Sequence, residues 1–322
     1  MKRWFSLCLC CVLLILTAVP ARSEPIRWMD FCVPYGSLKY AMDQDIATFE
    51  EEKHISWIEI LALSACRTGG KCGIASVKKA ASDLKGDRSA KELAGDTAKY
   101  YDYYFEAYTA VLGGFLGSFE IEVDGQWKAQ YGLKAFSPIA AGYGYSHCDD
   151  FGVSRSFGFR RKHLGNDLMG SLGTPIVAVE GGVVEVMGWN RYGGWRVGIR
   201  SFDNRRYYYY AHLQKDTPFA KGLQEGDIVQ AGDLIGFMGR TGYSDKENVN
   251  NIETVHLHFG IQLVFDESQK ECLSEIWINA YDIVRLLSSH RSSLKRTEDG
   301  WQRRYAYRDL DIEEFPQEKG AS

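Results

Sequence analysis

The second half of the chain alternates apolar and polar residues over short stretches. Residues 177–187 and 195–200 are two of them, set around glycine turns at Gly181-Gly182 and Gly193-Gly194, and residues 205–212 add a tyrosine-rich strand. A period of two, with β-branched and aromatic residues between glycine turns, is typical of β-strands. The pattern therefore predicts an all-β module in this part of the chain.

Helical spacing dominates residues 37–117. Ser37 is predicted to cap a first helix, and residues 57–65 form a second helix that ends at Gly69-Gly70. Ser89-x-x-Glu92 has the form of a capping box ahead of a longer periodic run. We therefore expect a helical region before the β module.

The longer helical run is rich in tyrosine. Its aromatic side chains suit either a stacking surface for glycan or packing against a neighbouring helix. Packing is the favoured interpretation, because large aromatic residues on a helix are usually buried. The residues concerned are Tyr100, Tyr101, Tyr103, Tyr104 and Tyr108.

Three further elements are predicted around these regions. Residues 119–123 and 127–131 alternate on either side of Asp124-Gly125, which predicts a hairpin that leads into the β module. Residues 276–295 are predicted to form a helix that packs on the body. The end of the chain, residues 295–322, mixes charges of both signs and is predicted to be a peripheral tail.

The first residues have the pattern of a targeting segment. Lys2 and Arg3 precede an uncharged apolar stretch at 4–19, which Pro20 ends. Since about 20 apolar residues are needed to span a bilayer, a cleaved signal peptide is favoured over an uncleaved membrane anchor. In both cases we expect the body to be exported, so that it is secreted, periplasmic or associated with the cell envelope.

The length of the chain indicates its number of domains, and its net charge indicates which partners are disfavoured. The 322 residues suggest more than one domain, and the formal net charge of −4 argues against nucleic acid as the main partner. The sequence does not determine the oligomeric state.

Cys66 and Cys72 flank a turn, and either a disulfide or two buried thiols is consistent with their spacing.

Four of the seven histidines fall in three short pieces of the β module. His163 lies in His-x-Gly-x-Asp, His212 in Ala-His-Leu, and His256 and His258 in His-Leu-His-Phe. Side chains two apart on a strand point to the same face, so His256 and His258 share one. A catalytic zinc needs three nitrogen or oxygen ligands and one open position. We predict that His163, Asp167 and His258 bind one Zn²⁺.

His212 and His256 then stand beside the metal. Peptide hydrolysis also needs a group that accepts a proton and a donor to the oxyanion, and these two histidines are the candidates. They could instead orient the ligands. The alternation of the strand 205–212 predicts that Tyr208 and Tyr210 share the face of His212. No His-Glu-x-x-His helix occurs in the chain.

These pieces resemble the LytM/lysostaphin-type zinc metalloendopeptidases, which cut peptides of bacterial peptidoglycan. The resemblance covers about residues 137–270. Besides the three histidine pieces it includes Phe157-Gly158-Phe159-Arg160, Gly173-Thr174-Pro175-Ile176-Val177-Ala178, and the glycine-rich stretches at 226–236 and 239–242. It implies metal ligation by His163, Asp167 and His258 and catalytic roles for His212 and His256.

The expected fold class is α+β multidomain, with an N-terminal α-helical region followed by an all-β antiparallel LytM-type catalytic domain. The resemblance implies one zinc per chain and peptidoglycan peptides as partners. The expected divisions are 1–23 signal peptide or anchor, 24–117 helical accessory domain, 118–136 hairpin or linker, 137–275 zinc endopeptidase domain, and 276–322 C-terminal helix and tail.

Two alternatives belong to other functional classes. One is a non-enzymatic envelope scaffold, or an activator of another cell-wall hydrolase, on the same fold. Lost ligands would mark such a protein, and none of the expected ligands is replaced. The other is a lipoyl- or biotin-carrier-like domain, which the stretch 226–235 resembles. A carrier needs a lysine in the opposing turn, and Gly181-Gly182 has none.

Two loops are predicted to border the site. Residues 147–150 read His-Cys-Asp-Asp, all of them possible metal ligands, although a flexible loop near the cleft is favoured over a second zinc site. The polar residues 248–253 precede the ligand strand and are predicted to form a wall of the cleft.

Overall fold

The computed structural model describes residues 31–157, 159–270, 275–298 and 300–310. The predicted targeting segment, residues 1–23, lies outside this part of the chain. Within the described part, no helix is both long enough and apolar enough to cross a membrane.

The N-terminal region is helical, as predicted, and its described part, from residue 31 onward, contains five α-helices. Ser56 caps the second helix by accepting a hydrogen bond from the Ile58 N–H, and Gly69 ends it in the left-handed conformation. The helices are α1 (Tyr35–Thr48), α2 (Trp57–Thr68), α3 (Ile74–Leu84), α4 (Ala90–Ala94) and α5 (Tyr101–Leu112).

The prediction that Ser37 caps the first helix is wrong. Helix α1 begins three residues earlier than predicted, with Pro34 in the cap position, and the Pro34 carbonyl accepts from the N–H groups of Ser37 and Leu38. Proline favours an extended conformation before a helix start, and Ser37 is instead buried within the first turn.

The capping box at Ser89 and Glu92 is confirmed, but the helix that it opens is short. Gly95, with φ +55°, ends α4, and a 3₁₀ turn over Gly95–Tyr100 leads into α5. Of the tyrosines in this run, Tyr101 and Tyr108 are buried, whereas Tyr100 and Tyr103 are exposed. Packing is therefore confirmed for Tyr101 and Tyr108.

The predicted hairpin consists of β1 (Leu116–Val123) and β2 (Gln126–Leu133), joined by Asp124 and Gly125, both with positive φ. It does not join the main sheet. Its edge strand pairs instead with a strand near the end of the chain, β17 (Tyr307–Asp309), so that a separate three-stranded sheet forms.

An antiparallel sheet of eight strands carries the site. Its strand order is β11-β8-β9-β10-β13-β6-β3, and β14 also pairs with β13. The strands are β3 (Ser146–His147), β6 (Asn166–Met169), β8 (Gly182–Asn190), β9 (Gly194–Ser201), β10 (Arg206–Ala211), β11 (Ile228–Val229), β13 (His256–Leu263) and β14 (Ile276–Ile278).

Smaller two-stranded sheets surround it. One pairs β4 (Ser154–Phe157) with β5 (Phe159–Lys162), and another pairs β7 (Pro175–Val177) with β12 (Leu234–Phe237). The helical region followed by a mostly antiparallel sheet confirms the predicted fold class.

The C-terminal predictions need correction. A helix was predicted over 276–295, but its first residues form β14, whose isoleucines are buried beside β13, and only α6 (Tyr281–Leu287) is helical. The predicted peripheral tail contains β15 (Leu294–Thr297), β16 (Gly300–Arg303) and β17. The buried ion pair between Lys134 and Asp309 (3.1 Å) ties this end of the chain to β2.

The helices and the main sheet share one hydrophobic core. A buried arginine on β10, Arg206, also joins them. It donates to Glu180 on one side and to the Ala110 carbonyl at the end of α5 on the other. The strand that leads to His212 is therefore attached directly to the helical region.

Candidate metal centre and cleft

The first predicted ligand pair is set by strand register. On β13 and β6, His258 lies opposite Asp167, and His256 lies opposite Met169. The loop that carries His163 lies against β13 at Gly165. A Cβ atom there would come within 2.6 Å of the Phe259 carbonyl, so the close approach requires glycine.

The structure brings the three predicted ligands together. His163 Nε2 lies 2.8 Å from His258 Nδ1 and 3.1 Å from Asp167 Oδ1, and the last two atoms are 3.2 Å apart. A tetrahedral zinc with bonds of about 2.0–2.1 Å separates its ligand atoms by about 3.3–3.4 Å. The donor set and its spacing therefore fit one zinc ion.

A fourth residue, Asp150, holds the first ligand in place. His163 Nδ1 lies 3.0 Å from the Asp150 carbonyl oxygen and 3.3 Å from its carboxylate. Arg155 bridges the carboxylates of Asp150 (2.6 Å) and Asp167 (3.1 Å). A histidine that binds a metal through one ring nitrogen is usually oriented by a carbonyl or carboxylate that accepts a hydrogen bond from its second ring nitrogen.

Asp150 belongs to the loop that was predicted to be flexible. The structure instead pairs part of this loop with the sheet, as β3 with β6. Throughout the described ranges, the one His, Cys, Asp or Glu group arranged to hold a metal is His163, Asp167 and His258. Residues 147–150 do not form such a group with one another in the described part of the chain.

The electrostatics of the metal-free ligands follow from their contacts. Burial lowers the pKa of His163, but hydrogen bonds to Asp150 and Asp167 outweigh it and raise that pKa to about 9. Burial raises the pKa of Asp167, yet hydrogen bonds from His163 and His258 hold it well below its usual range. For His258, burial lowers the pKa despite the Asp167 contact. Without metal, the ligand set holds a proton on His163.

The two further histidines lie beside this group. The ring centroids of His212 and His256 are 4.7 Å apart, and His256 Nε2 is 3.7 Å from Asp167 Oδ1. Each Nδ1 faces a backbone carbonyl, that of Thr241 for His212 (2.9 Å) and that of Thr254 for His256 (2.8 Å). Because a carbonyl only accepts, Nδ1–H must donate, and the Nε2 of each neutral ring is a proton acceptor.

Burial lowers the pKa of His212 well below its usual value, with the neighbouring His256 and His258 adding to the effect. His212 is therefore neutral at pH 7 in the metal-free protein. This state leaves its Nε2 lone pair available.

The prediction about the tyrosines is wrong. Tyr208 and Tyr210 are fully buried; the Tyr208 hydroxyl contacts Glu180, and the Tyr210 hydroxyl accepts from the Val179 N–H. Tyr207 and Tyr209 line the cleft. The reason is that His212 lies beyond the end of β10 with φ +62°, so that strand alternation does not extend to it.

The four histidines open onto a cleft of about 870 Å³. Tyr192 and Tyr243 form part of its rim, together with the side chain of Arg161. Residues 248–253, all of them described, do not line it, which contradicts their prediction as a wall. Asn248 instead accepts from Nε1 of Trp195 (2.9 Å), a side chain that does not line the cleft either.

Sequence reasoning missed Asp150 as a support, as well as Arg161, Tyr192 and Tyr243 on the rim. Asp150 belongs to the stretch 147–150, whose residues are all possible metal ligands, but no spacing pattern connects it with His163. The rim residues come from three separate segments, which no periodic pattern connects.

The thiols of Cys66 and Cys72 are buried and do not form a disulfide. Cys66 contacts Thr97, and Cys72 contacts Tyr108.

Comparison with known proteins agrees with this geometry. Residues 161–270 match the model described as Peptidase family M23. The chain is 42% identical over 124 residues to an L-Ala--D-Glu endopeptidase of Bacillus subtilis, which is 38% of this chain and 36% of that protein. It is 36% identical over 98 residues to lysostaphin of Staphylococcus simulans, which is 30% of this chain and 17% of that protein.

A solved structure extends the likeness to the helices. The crystal structure of a protein from Ruminococcus gnavus, proposed to be a glycyl-glycine endopeptidase, superposes with a TM-score of 0.54 at 25% identity. The match covers 84% of this chain and 92% of that one. The two curated relatives are matched over no more than about a third of their length. Residues 161–270 are thus a peptidase family M23 domain, homologous to LytM-type and lysostaphin-type peptidoglycan hydrolases.

Proposed function

We propose that this protein is a zinc-dependent endopeptidase that hydrolyses peptides of bacterial peptidoglycan. The observation that carries the proposal is the convergence of His163, Asp167 and His258 beside two further histidines in one cleft. The name of the Bacillus subtilis relative, an L-Ala--D-Glu endopeptidase, supports the reaction class. As the matched segment is 42% identical to the L-Ala--D-Glu endopeptidase, we propose the L-Ala–D-Glu bond as the one cut.

The ligand residues would hold one Zn²⁺, with Asp150 orienting His163 through its second ring nitrogen. Zinc in such a site polarises a carbonyl and makes a water molecule more acidic. Although Asp167 is buried, its hydrogen bonds with His163 and His258 keep the carboxylate charged, and Arg155 helps to fix it in place before metal binds.

The two remaining histidines would move the proton. His256 accepts the proton of the attacking water at Nε2, because its Nδ1–H is engaged with the Thr254 carbonyl. His212 starts neutral, and its Nε2 would take up the proton that His256 has removed from the water, since the two ring centroids are 4.7 Å apart, and would then donate to the oxyanion. Both rings are fixed by backbone carbonyls, so they need little reorganisation during the reaction.

The remaining assignments follow from this substrate. We propose that the body acts outside the cytoplasm, in the secreted or cell-envelope fraction, and that the segment 1–23 directs export or anchors it. The helical region 24–117 would support the catalytic domain at 137–275 through the Arg206 contacts.

Digestion of purified peptidoglycan tests the proposal. The purified protein, with and without a chelator, is incubated with peptidoglycan, and the products are read by mass spectrometry. We expect new peptide ends that disappear with chelator and return with added zinc. Absence of new ends from a protein shown to contain one zinc would contradict the proposed activity and favour the scaffold or activator alternative.

A further inference from the structure

The cleft is basic although the protein is acidic. The whole chain has a formal net charge of −4. Among the charged residues that line the cleft, the acidic ones are Asp167, which belongs to the ligand set, and Glu275, which accepts from Trp277 Nε1. The basic ones are Arg155, Arg161, Lys162, Arg191, Arg196 and Lys270. This separation of charge favours a negatively charged ligand.

Several of these basic groups already have carboxylate partners. Arg155 pairs with Asp150 and Asp167. Arg191 pairs with Asp245, and Lys270 pairs with Glu185 and Glu267. Their charges are largely balanced within the protein, so they do not explain what the cleft would bind.

Three basic residues of the lining remain, Arg161, Lys162 and Arg196, and of these Arg161 is the one that the structure places over two aromatic rings. Its guanidinium lies over the rings of Tyr192 (4.7 Å) and Tyr243 (5.0 Å), and Nη2 donates to the Tyr243 hydroxyl at 2.8 Å. No carboxylate of the described residues pairs with it, and Nη1 has no hydrogen-bond partner there although it is shielded from solvent. Two aromatic faces hold this cation in one orientation while its charge stays unbalanced.

The support of Arg161 is fixed by the backbone. Tyr243 has φ +48°, a conformation that costs energy in a residue with a side chain, and its N–H bonds to the Tyr192 carbonyl (3.3 Å). The two tyrosines are thereby locked to each other. Strain of this kind persists where the surrounding structure imposes it, and it is common at ligand sites.

Arg161 also stands next to the proposed chemistry. It precedes the ligand His163 by two residues. The ring of Tyr243, which it contacts, lies 5.9 Å from the ring of His212 between centroids. A group bound at Arg161 would therefore lie close to the bond being cut.

We propose that Arg161 binds a free carboxylate of the substrate, next to the scissile bond, and so selects acidic stem peptides over uncharged glycine bridges. This inference rests on the proposed function and adds the residue that recognises the substrate. A guanidinium pairs with a carboxylate through two parallel hydrogen bonds, which a carboxamide reproduces only in part. Glycine bridges offer no side-chain carboxylate.

Matched peptides test this selection. One contains an L-Ala–D-Glu bond with the D-Glu carboxylate free, the second carries the carboxamide there, and the third is pentaglycine. With zinc-loaded wild type we expect kcat/KM to be at least about tenfold higher for the free carboxylate than for the carboxamide. Arg161→Gln should lower kcat/KM for the acidic peptide by about 10–100-fold, mainly through KM, and change the carboxamide little.

The control variant is Arg160→Gln. Arg160 is the exposed neighbour on β5, its Nε donates to Ser154 Oγ, and it does not line the cleft, so the same loss of charge should leave both rates unchanged. Zinc content and thermal unfolding of each variant show that the site and the fold are intact. Equal rates for the acidic peptide and the carboxamide in wild type, or equal losses on both peptides in Arg161→Gln, would overturn the inference.

Failure of the inference is separable from failure of the proposed function. If peptidoglycan and all three peptides stay intact, the proposed function fails. Calorimetric binding then decides the inference by itself: tighter binding of the acidic peptide to wild type, lost in Arg161→Gln and kept in Arg160→Gln, supports it. Binding of both peptides with the same affinity contradicts it.

Discussion

The backbone conformation of His212 determines which side chains near the end of β10 line the cleft. Its φ of +62° places the residue outside the alternation of β10, and its N–H bonds to the Gly193 carbonyl (2.7 Å). The ring then packs beside His256 rather than above the buried Tyr210. In the proposed mechanism two roles are thereby separated in space: one group of side chains would hold the metal, and another would accept and pass on the proton.

Single substitutions should reveal this separation. His258→Ala removes one of three ligands, so zinc binding and hydrolysis should be lost together. His212→Ala leaves all three ligands in place, so the protein should retain one zinc while kcat falls by about 10²–10⁴-fold. Metal analysis and peptide hydrolysis on the same samples measure both effects.

Two outcomes would contradict these roles. Turnover by a zinc-free His258→Ala protein would remove His258 from the ligand set. Loss of zinc from His212→Ala would move His212 into that set. Circular dichroism of both variants shows whether the fold is retained.

Strand β10 connects the site with the rest of the molecule. One face carries Tyr207 and Tyr209 to the cleft, and its first residue, Arg206, is buried beneath the helices. Arg206 pairs with Glu180 (2.8 Å) and Asp203 (2.8 Å) and donates to the last turn of α5. A cation at the C-terminus of a helix satisfies carbonyls that the helix itself leaves unpaired.

Loss of this arginine should destabilise the whole fold. Arg206→Ala leaves Glu180 buried without its partner, which costs about 3–5 kcal/mol in the free energy of unfolding. Arg205→Ala, at the exposed neighbouring position, should cost less than about 0.5 kcal/mol. Urea unfolding measures both changes. A cost below about 1 kcal/mol for Arg206→Ala would show that the helices and the sheet do not depend on this contact.

For the whole molecule, the histidines make stability depend on pH in two directions. Burial lowers the pKa of His147 to about 4, and burial also lowers that of His290. Groups of this kind bind fewer protons when folded, so stability falls as the pH drops below their unfolded value of about 6.5. His163, with a pKa raised to about 9, behaves in the opposite way, and its contribution is lost as the pH rises from about 6.5 to 9.

The metal-free protein should therefore be most stable near pH 6.5. In His147→Asn, the loss of stability between pH 6.5 and 4 should be smaller than in wild type by about 1–2 kcal/mol, since the side chain is only partly shielded from solvent. Urea unfolding of chelator-treated protein across this pH range tests the change. An acid limb that is identical in both proteins would show that His147 is not neutral in the folded state.

The sequence by itself determined the candidate ligand set and the order of the main elements. Both depend on residues that are close in sequence. His256 and His258 are two residues apart on a strand, His-x-Gly-x-Asp forms a turn, and apolar residues before the sheet recur with a helical period. The sequence also predicted the hairpin at 119–131. Its turn pair, Asp124-Gly125, consists of residue types that readily adopt the positive φ that the turn requires.

Only the tertiary structure decided what depends on contacts between distant segments. The pairing of β17 with β1 turned a predicted tail into part of a sheet, because an edge strand remains open until a partner reaches it. Asp150 contacts His163, and Arg161 lies over the rings of Tyr192 and Tyr243. Loops bring these residues together, and the loop sequences have no periodic pattern from which the contacts could be predicted. The left-handed turn at His212 reversed the roles of the tyrosines, since strand alternation holds only while the strand continues.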